Sequence, residues 1–598
     1  MSEHASAVSL EQNEQFLKKA YGKALIPCML SILSGNINIL ADGILVGQRL
    51  GMDALAAINF SLPVYLALCI AGSFVVSGTA ICAAAAIGDN QDGKAQELYK
   101  MSVFWCVLVS AVITAAGLVC LKPLASLLCP EESVSPLVME YVGVTLAGAL
   151  PKILIYIPFW YLRLDGRNRQ VTWMMLVMGV GNVLLDLLFL YVFDMGVFGA
   201  ALASVVATAA SCLLGLVWLC DKRSSFPLGI CLACKGVSFW QIAKAGSPSA
   251  MNNLFQTLRV MAVNTLLLWS GGSGLVAAFT AVNCICAFEE SVTGGVPQAA
   301  SAMLGIYSGE HDNKSARMLI KRQIKSGVPY CLLFSAVILA GADLIAGAYG
   351  LTESLGFAFF CLSLGMIPAL CNCILSGYYN VSGHSMWANV IILLRVFVLP
   401  CASLSVLWRF SLNPWWFLFF GEVLTLFFWF AATGIYCHFH DRCSRFLLMD
   451  NTLEETGRVI NFSVRGEAED ICDASSKITV FCEENGMLPG QVMRVSLAME
   501  ELMTVIASVN PAGSVEFDLR VYSLEGVIGI RIRYSGREFN PLRSNQDSAG
   551  QKGGVVQGKP SEAAKLDDMY LGIRMIEDMV ETSLYQRTFG MNTIQIYI

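Results

Sequence analysis

Residues 23–57 read KALIPCMLSILSGNINILADGILVGQRLGMDALAA, and a counterpart returns at 244–278 as KAGSPSAMNNLFQTLRVMAVNTLLLWSGGSGLVAA. Lys23, Ala24 and Pro27 recur as Lys244, Ala245 and Pro248; Gly51, Ala56 and Ala57 recur as Gly272, Ala277 and Ala278. The same offset of 221 residues pairs Gly88 and Ala95 with Gly309 and Ala316. Further on the offset becomes 217, matching Pro151 and Gly166 with Pro368 and Gly383. Lys, Pro and Gly held at common spacing across several apolar stretches mark a duplicated unit, with two copies running in the same direction. Transporters use repeats of this kind to rock two bundles around a central site.

The repeat is written in a membrane composition. The chain has 598 residues, 56% of them hydrophobic and 14% charged, with a mean hydropathy of +0.61. A soluble domain is about 25% charged, so most of this chain is not a water-facing globule. Stretches of about 20 apolar residues, the length a helix needs to cross the hydrocarbon core, centre near Leu33, Leu68, Val109, Leu150, Leu184, Val206, Val260, Phe288, Phe334, Leu364, Leu394 and Phe427. The expectation is therefore an α-helical membrane protein of twelve transmembrane helices in two six-helix lobes. The net charge of −6 gives no reason to expect nucleic acid as a partner. Most of the 21 cysteines, such as Cys69, Cys106, Cys212 and Cys361, sit in apolar runs and read as free, buried thiols.

Lysine and arginine fall in alternate loops: Lys18/Lys19, Lys94/Lys100, Arg163/Arg167/Arg169, Lys222/Arg223/Lys235, Lys314 to Lys325, and Arg442/Arg445. The other loops hold little beyond Arg49, Lys122 and Arg409. Cytoplasmic loops carry the positive excess, which predicts a multi-pass protein of the cell membrane with both termini in the cytoplasm. The start, MSEHASAVSLEQNEQFLKK, has no apolar signal-peptide core, so the first helix is expected to do the targeting. The organisation read from these features is a cytoplasmic segment 1–20, an N-lobe 21–220, an inter-lobe loop 221–240, a C-lobe 241–440, a linker 441–457 and a soluble domain 458–598.

Charge inside a membrane is costly and marks function by default. Asp42 lies fifteen residues after Pro27, roughly 22 Å along a helix at 1.5 Å per residue. Asp186 follows Asn182 by one turn, so both project from one face. Their repeat mates are Val263 and Ser403, which confines the acidic pair to the N-lobe. Two carboxylates in low dielectric can trade a proton or, with Asn182, ligate Na⁺; each could instead be neutralised by a basic neighbour such as Lys152. Ser31, Ser34, Asn36 and Asn38 give the first helix a polar face that must look into protein or water. With Lys152 and Arg259, Asn36 and Asn38 are candidates for a substrate cavity. Glu289, Glu290, Arg395 and Glu422 also fall in or near apolar stretches, and Arg259 is expected to pair with Glu289 or Glu290. Cys231 and Cys234 have metal-ligand spacing, but one such pair alone is weak evidence for zinc.

Asp42-Gly43-Ile44 with Val46-Gly47, Leu50-Gly51 and Ala54 to Ala57 resembles the first-helix signature of the multidrug and toxic compound extrusion (MATE) family. Asp165-Gly166, Asn182 with Asp186, and Gly196 with Gly199-Ala200-Ala201 and Ala203 are similar to that family's fourth-to-sixth-helix pattern. The resemblance covers roughly 14–440. It implies a secondary active exporter that exchanges H⁺ or Na⁺ for a small amphiphilic, often cationic compound. It also implies that Asp42, Asn182 and Asp186 couple the cation and that the first helix bends at Pro27. The acidic residues some members carry in the seventh and tenth helices are not evident. Two alternatives stand beside this one: a flippase for a lipid-linked substrate, kept open by Lys152, Arg259 and Arg395, and a membrane-tethered signalling protein.

After His440 the apolar runs shorten and charges become frequent. The pattern predicts a strand from Arg458, helices 468–487 and 491–507, strands 514–522 and 526–534, a flexible 543–566, a helix 568–580 and two closing strands. This order resembles the α+β sandwich of anti-sigma-factor serine kinases in the GHKL superfamily. Leu497 to Leu502, with Glu500 and Glu501, is similar to its glutamate-bearing helix; Tyr534-Ser535-Gly536 and Leu571-Gly572-Ile573 resemble its two glycine boxes. The departures bear on chemistry: Thr504 stands where the family has its Mg²⁺-binding asparagine, and Tyr534 where it has the aspartate that holds adenine. The expectation is a degenerate domain with weak or lost ATP and Mg²⁺ binding, free to contact a cytoplasmic protein partner or to regulate transport. No G-x-x-x-x-G-K-[ST] phosphate loop is present, which argues against transport driven by ATP hydrolysis.

Overall fold

The computed structural model describes residues 21–37, 45–46, 48–88, 91–129, 134–221, 224–226, 229–232, 234, 236–271, 273–310, 312–348, 354–439, 446–449, 459–511, 515–524, 527–537, 539–541, 582–588 and 591–597. Two compact units emerge: Tyr21–Met449, and Met1–Ala20 with Asp450–Ile598.

The first unit is helical throughout. Helix α1 spans 21–37. It is followed by α2 (Met52–Gly88), α3 (Asp92–Val119), α4 (Leu121–Leu128), α5 (Ser135–Ala147), α6 (Ala149–Leu154), α7 (Tyr156–Leu164), α8 (Asn168–Asp186) and α9 (Gly196–Leu219). The second half gives α10 (Phe239–Gly271), α11 (Ser273–Thr293), α12 (Gly295–Gly309), α13 (Asn313–Ala340), α14 (Ala342–Ala348), α15 (Gly356–Val381), α16 (Ser385–Leu393), α17 (Leu399–Arg409) and α18 (Phe417–Phe439). Among the described residues nine helices are long and apolar enough to cross a membrane, or ten if α5 with α6–α7, bent by 59°, is one crossing. Two of the twelve expected crossings fall outside this set. The first is described only over 21–37, and α10 carries Lys244, Asn252, Asn253, Gln256, Arg259 and Asn264 along its 33 residues.

Two features of the helices position the buried charges and the space between the lobes. A π-helical turn, Leu187–Val192, extends α8 directly after Asp186, and a second, Leu394–Val398, joins α16 to α17 and contains Arg395. A π turn inserts an extra residue into the helix and re-aims the side chains around it. The second feature is the antiparallel crossing of α2 and α10, where Gly78 lies against Ile242 and Gly246 against Phe74. A Cβ on Gly246 would overlap the Phe74 carbonyl oxygen, and one on Gly78 would overlap that of Ile242. Only glycine lets the two backbones meet this closely, as small residues do at membrane helix crossings generally.

In the second unit, β1 (Val459–Arg465), β2 (Glu516–Leu524), β3 (Val527–Ser535), β4 (Thr582–Thr588) and β5 (Met591–Tyr597) form an antiparallel sheet in the order β1-β2-β3-β5-β4. Helices α19 (Ala468–Glu484) and α20 (Pro489–Val509) cover one face. Period-two alternation sends Phe462, Val464, Phe517, Leu519, Ile530, Ile532, Ile594 and Ile596 into the core against Ile478, Val495, Met499 and Leu502. The opposite face carries Asp518, which meets Arg531 at 3.1 Å and Arg533 at 3.6 Å, all three buried. The expected helix 568–580 and the segment 543–566 lie outside the described residues.

Gly246→Val should lower stability by roughly 1–3 kcal/mol, the usual cost of overpacking, whereas Gly434→Ala, with open space around its Cβ position, should not. Thermal unfolding of the two variants in detergent would check this. In the second unit, burial pushes the Cys482 thiol up to about 11, so at pH 8 about one molecule in a thousand is thiolate. A maleimide pulse at pH 8 should label the exposed Cys472 and spare Cys482; equal labelling would mean α19 is not packed as described.

Candidate functional site

In the N-lobe, α1 is fastened along α8. Thr172 Oγ1 donates to the Pro27 carbonyl at 2.9 Å, and Ser34 Oγ donates to the Met175 carbonyl at 3.1 Å. Proline at 27 removes an N–H from the helix and crowds the preceding turn, and the Thr172 hydroxyl takes up its carbonyl. Beyond Met175 on the same helix come Asn182 and, one turn later, Asp186, each 1% exposed. Asn182 Nδ2 donates to Asp186 Oδ2 at 2.9 Å, the contact expected of an i, i+4 pair on one helix face. Asp42 and Asn38 lie outside the described residues. Lys152 is buried, its Nζ 3.3 Å from Ser204 Oγ and 5.2 Å from the centre of the Tyr65 ring.

Asn36 is turned differently from its sequence neighbours: its amide donates to the Ala287 carbonyl and to Ser291 Oγ on α11. It therefore joins the lobes. Directly beside those two residues are Glu289 and Glu290, which with Gln256, Arg259, Cys286, Thr293, Arg395 and Glu422 line a small chamber in the C-lobe. Arg395 Nε donates to both oxygens of Glu422, at 2.8 and 3.0 Å, and Asn372 Nδ2 donates to Glu422 Oε2 at 2.9 Å. Gln256 Nε2 donates to both oxygens of Glu290, at 3.2 and 3.3 Å. Instead of the pairing expected of Arg259 with Glu289 or Glu290, Arg259 and Glu289 face the same chamber without a direct ion pair among the described residues, while Gln256, one turn before Arg259 on α10, takes Glu290, and Arg395, carried by the π turn, pairs with Glu422. Arg259 lines the chamber, and its Nε has no hydrogen-bond partner among the described residues.

Glu290 and Arg395 also line the larger cleft between the lobes. It encloses about 870 Å³ of empty space, which includes the open solvent at its mouth. Ile81 and Trp160 contribute from the N-lobe; Pro248, Asn252, Gln298 and Asn380 are among the C-lobe residues. Of the residues expected in a substrate cavity, none of the described ones (Asn36, Lys152, Arg259) lines this cleft, although Arg259 borders the chamber that adjoins it. Arg163 corrects another expectation. Its place among basic residues near a helix end predicts a loop charge, but it ends α7 with 4% exposure, because Tyr161, Leu162 and Leu164 beside it are buried with it.

In the second unit, Tyr534 is fully buried in the core and donates its hydroxyl to the Phe539 carbonyl. Thr504 is exposed and its hydroxyl donates to the Glu500 carbonyl at 2.8 Å. Glu500 and Glu501 are half-buried on α20. Gly536 has φ +139°, a conformation that needs glycine, and the Asn510 side chain accepts from the Arg537 N–H at 3.0 Å beside it. Gly572 lies outside the described residues. Among the described residues no group of three His, Cys, Asp or Glu side chains is placed to hold a metal, and Cys231 with Cys234 gains no third ligand.

Residues 27–192 match the family model described as MatE. A solved outward-facing MATE family transporter of the MOP superfamily superposes with a TM-score of 0.65 at 23% identity, over 69% of this chain and 94% of that one. The membrane unit has the MATE fold. Curated relatives of this MATE-fold unit include the probable multidrug resistance protein YoeA of Bacillus subtilis, 24% identical over 53% of this chain and 69% of its own length. The multidrug export protein MepA of Staphylococcus aureus is 22% identical over 62% and 82%, and a FAD transporter of Shewanella oneidensis is 25% identical over 55% and 74%. The family model over residues 27–192 and the named relatives agree with that fold.

Glu422→Gln would leave the partly buried Arg395 without its carboxylate and should cost roughly 1–3 kcal/mol. The double variant Arg395→Gln/Glu422→Gln should cost less than Glu422→Gln alone. Denaturant melts of the purified variants would check the ordering.

Proposed function

We propose that the membrane unit is a secondary active exporter in which cation entry through the N-lobe drives a small amphiphilic compound out through the inter-lobe cleft. The observation that carries this is the Asn182–Asp186 pair, 1% exposed, on a helix fastened to α1 beside Pro27. A buried carboxylate hydrogen-bonded to a neutral amide changes its charge readily when a cation arrives. The contacts from Pro27 to Thr172 and from Ser34 to Met175 advance in the same direction along α1 and α8, which supports a coupled movement of the two helices. Protonation of Asp42 or Asp186, or Na⁺ shared among Asp42, Asn182 and Asp186, removes the need to keep water beside the pair. The first helix then bends at Pro27, and the rocking of the lobes exchanges access to the cleft. The names of the relatives, multidrug resistance and multidrug export, favour efflux over lipid flipping.

In this reading the chain crosses the membrane twelve times with both termini in the cytoplasm, and 458–598 is a regulatory domain. Its five antiparallel strands and two packed helices support a GHKL-like ancestry, while Tyr534 in the core fills the place of the adenine-binding aspartate and argues for regulation without ATP turnover.

Cells expressing the wild type should expel a fluorescent organic cation under one of two imposed gradients, proton or sodium. Asp42→Asn and Asp186→Asn should each abolish expulsion at unchanged expression, and the effective gradient names the coupling ion. Full activity in both variants would remove the coupling site. A truncation after Asp450, which keeps the buried Leu448 and Met449, should change the rate if the domain regulates.

A further inference from the structure

Two arginines near the cleft differ in how their charge is met. Arg395 is ion-paired to Glu422. Arg163 has 4% exposure and no carboxylate partner among the described residues. Its Nη2 donates to Ser31 Oγ at 2.7 Å, and its guanidinium lies 3.9 Å from the centre of the Phe159 ring. Nε and Nη1 have no hydrogen-bond partner among the described residues. Asp165, the next carboxylate along the chain, is engaged by Arg167 at 2.9 Å and by Ser225.

A guanidinium kept from water without a counter-charge is among the costliest arrangements a protein interior holds. This one lines a narrow pocket, about 310 Å³ only when its open side is included, whose walls include Ala80, Ala84, Trp160 and Ser301; in this state the pocket is closed over the guanidinium nitrogens and opens to a ligand as the lobes move apart. Ile81, Trp160, Ser301 and Val381 line both that pocket and the cleft, so the pocket continues the cleft into the N-lobe. The apolar walls supply no compensating dipole. The guanidinium fork matches an anionic oxygen pair geometrically, and one positive charge balances one negative charge. A monoanionic carboxylate leaves the pocket neutral, whereas a doubly charged phosphate would leave it negative.

We propose that Arg163 binds a carboxylate of the compound held in the inter-lobe cleft, so that the exported compound is zwitterionic, with its positive centre facing Glu290. The proposal rests on the exporter reading under Proposed function. Ser31 and Phe159 then act as positioning residues, holding the guanidinium plane so that its Nε and Nη1 edge meets the carboxylate.

The test uses two fluorescent probes that differ by one group. Nε-dansyl-lysine is dansylcadaverine with a carboxylate on the carbon that bears the ammonium. Binding of each to the purified full-length chain is read from dansyl fluorescence at pH 7.5. The wild type should prefer dansyl-lysine by about tenfold or more, the size of one charge-assisted hydrogen-bonded pair. Arg163→Gln should bring the two affinities together by weakening dansyl-lysine alone, while Glu290→Gln should weaken both probes. If Arg163→Gln does not fold, Arg163→Lys decides: losing the fork should shrink the preference, and an unchanged ratio overturns the proposal. Equal affinities in the wild type, or equal weakening of both probes by Arg163→Gln, also overturn it. Binding of neither probe by the wild type would remove the cleft as a ligand site altogether, and the exporter reading with it. If efflux is lost in Asp42→Asn while the probes bind without preference, only the carboxylate assignment fails.

Discussion

The contact of α2 with α10 at Gly78 and Gly246 sets where the lobes touch, and the cleft begins at its edges. The two helices run antiparallel there, Gly78 against Ile242 and Phe74 against Gly246. Ile81 lies three residues beyond Gly78, and Pro248, Ser249 and Asn252 lie two to six beyond Gly246; all four line the cleft. Residues within two turns of the crossing on either helix therefore form part of the cleft wall. Larger side chains at the crossing would hold the backbones apart and open a gap where the lobes now meet. A contact made by backbone, with little side-chain interdigitation to undo, is also one about which two helices can tilt.

Around the cleft, the membrane unit deals with buried charge in three ways. Asp186 accepts a hydrogen bond from the Asn182 amide, one turn earlier on the same helix. Glu422 is met by Arg395 and Asn372, a set in which charge is paired; such a set fixes geometry more than it adds stability. Arg163 is met by a hydroxyl and an aromatic face. The difference between these environments, rather than the number of charges, assigns them different work. Both π turns stand at this boundary, one after Asp186 and one around Arg395.

The second unit obeys soluble-protein rules. Its sheet has one apolar face under α19 and α20 and one face carrying Asp518, Arg520, Arg531 and Arg533, all buried. Tyr534 anchors the end of β3 in that core: its ring packs with Phe517, at 6.1 Å between centroids, and its hydroxyl donates to the Phe539 carbonyl. That combination stabilises the end of the sheet.

Composition and period settled much of this protein from sequence alone. Apolar length located the helices because a bilayer imposes one length on every crossing; α10 was marked both by the apolar stretch around Val260 and by the repeat, although its polar residues dilute its hydropathy. Alternating apolar positions located strands β1, β2, β3 and β5, because pleating sends every second side chain into the core. The Asn182–Asp186 contact was legible because i, i+4 geometry is local. What lay beyond reach was every contact between helices distant in the chain. Nothing in the spacing of Arg395 and Glu422 shows that the two pair, or that Gln256 takes Glu290. Arg163 has the sequence setting of a loop charge because positively charged residues at helix ends are usually solvated. Only the packing of α7 against its neighbours buries it, because exclusion of water from a side chain is a property of the assembled fold.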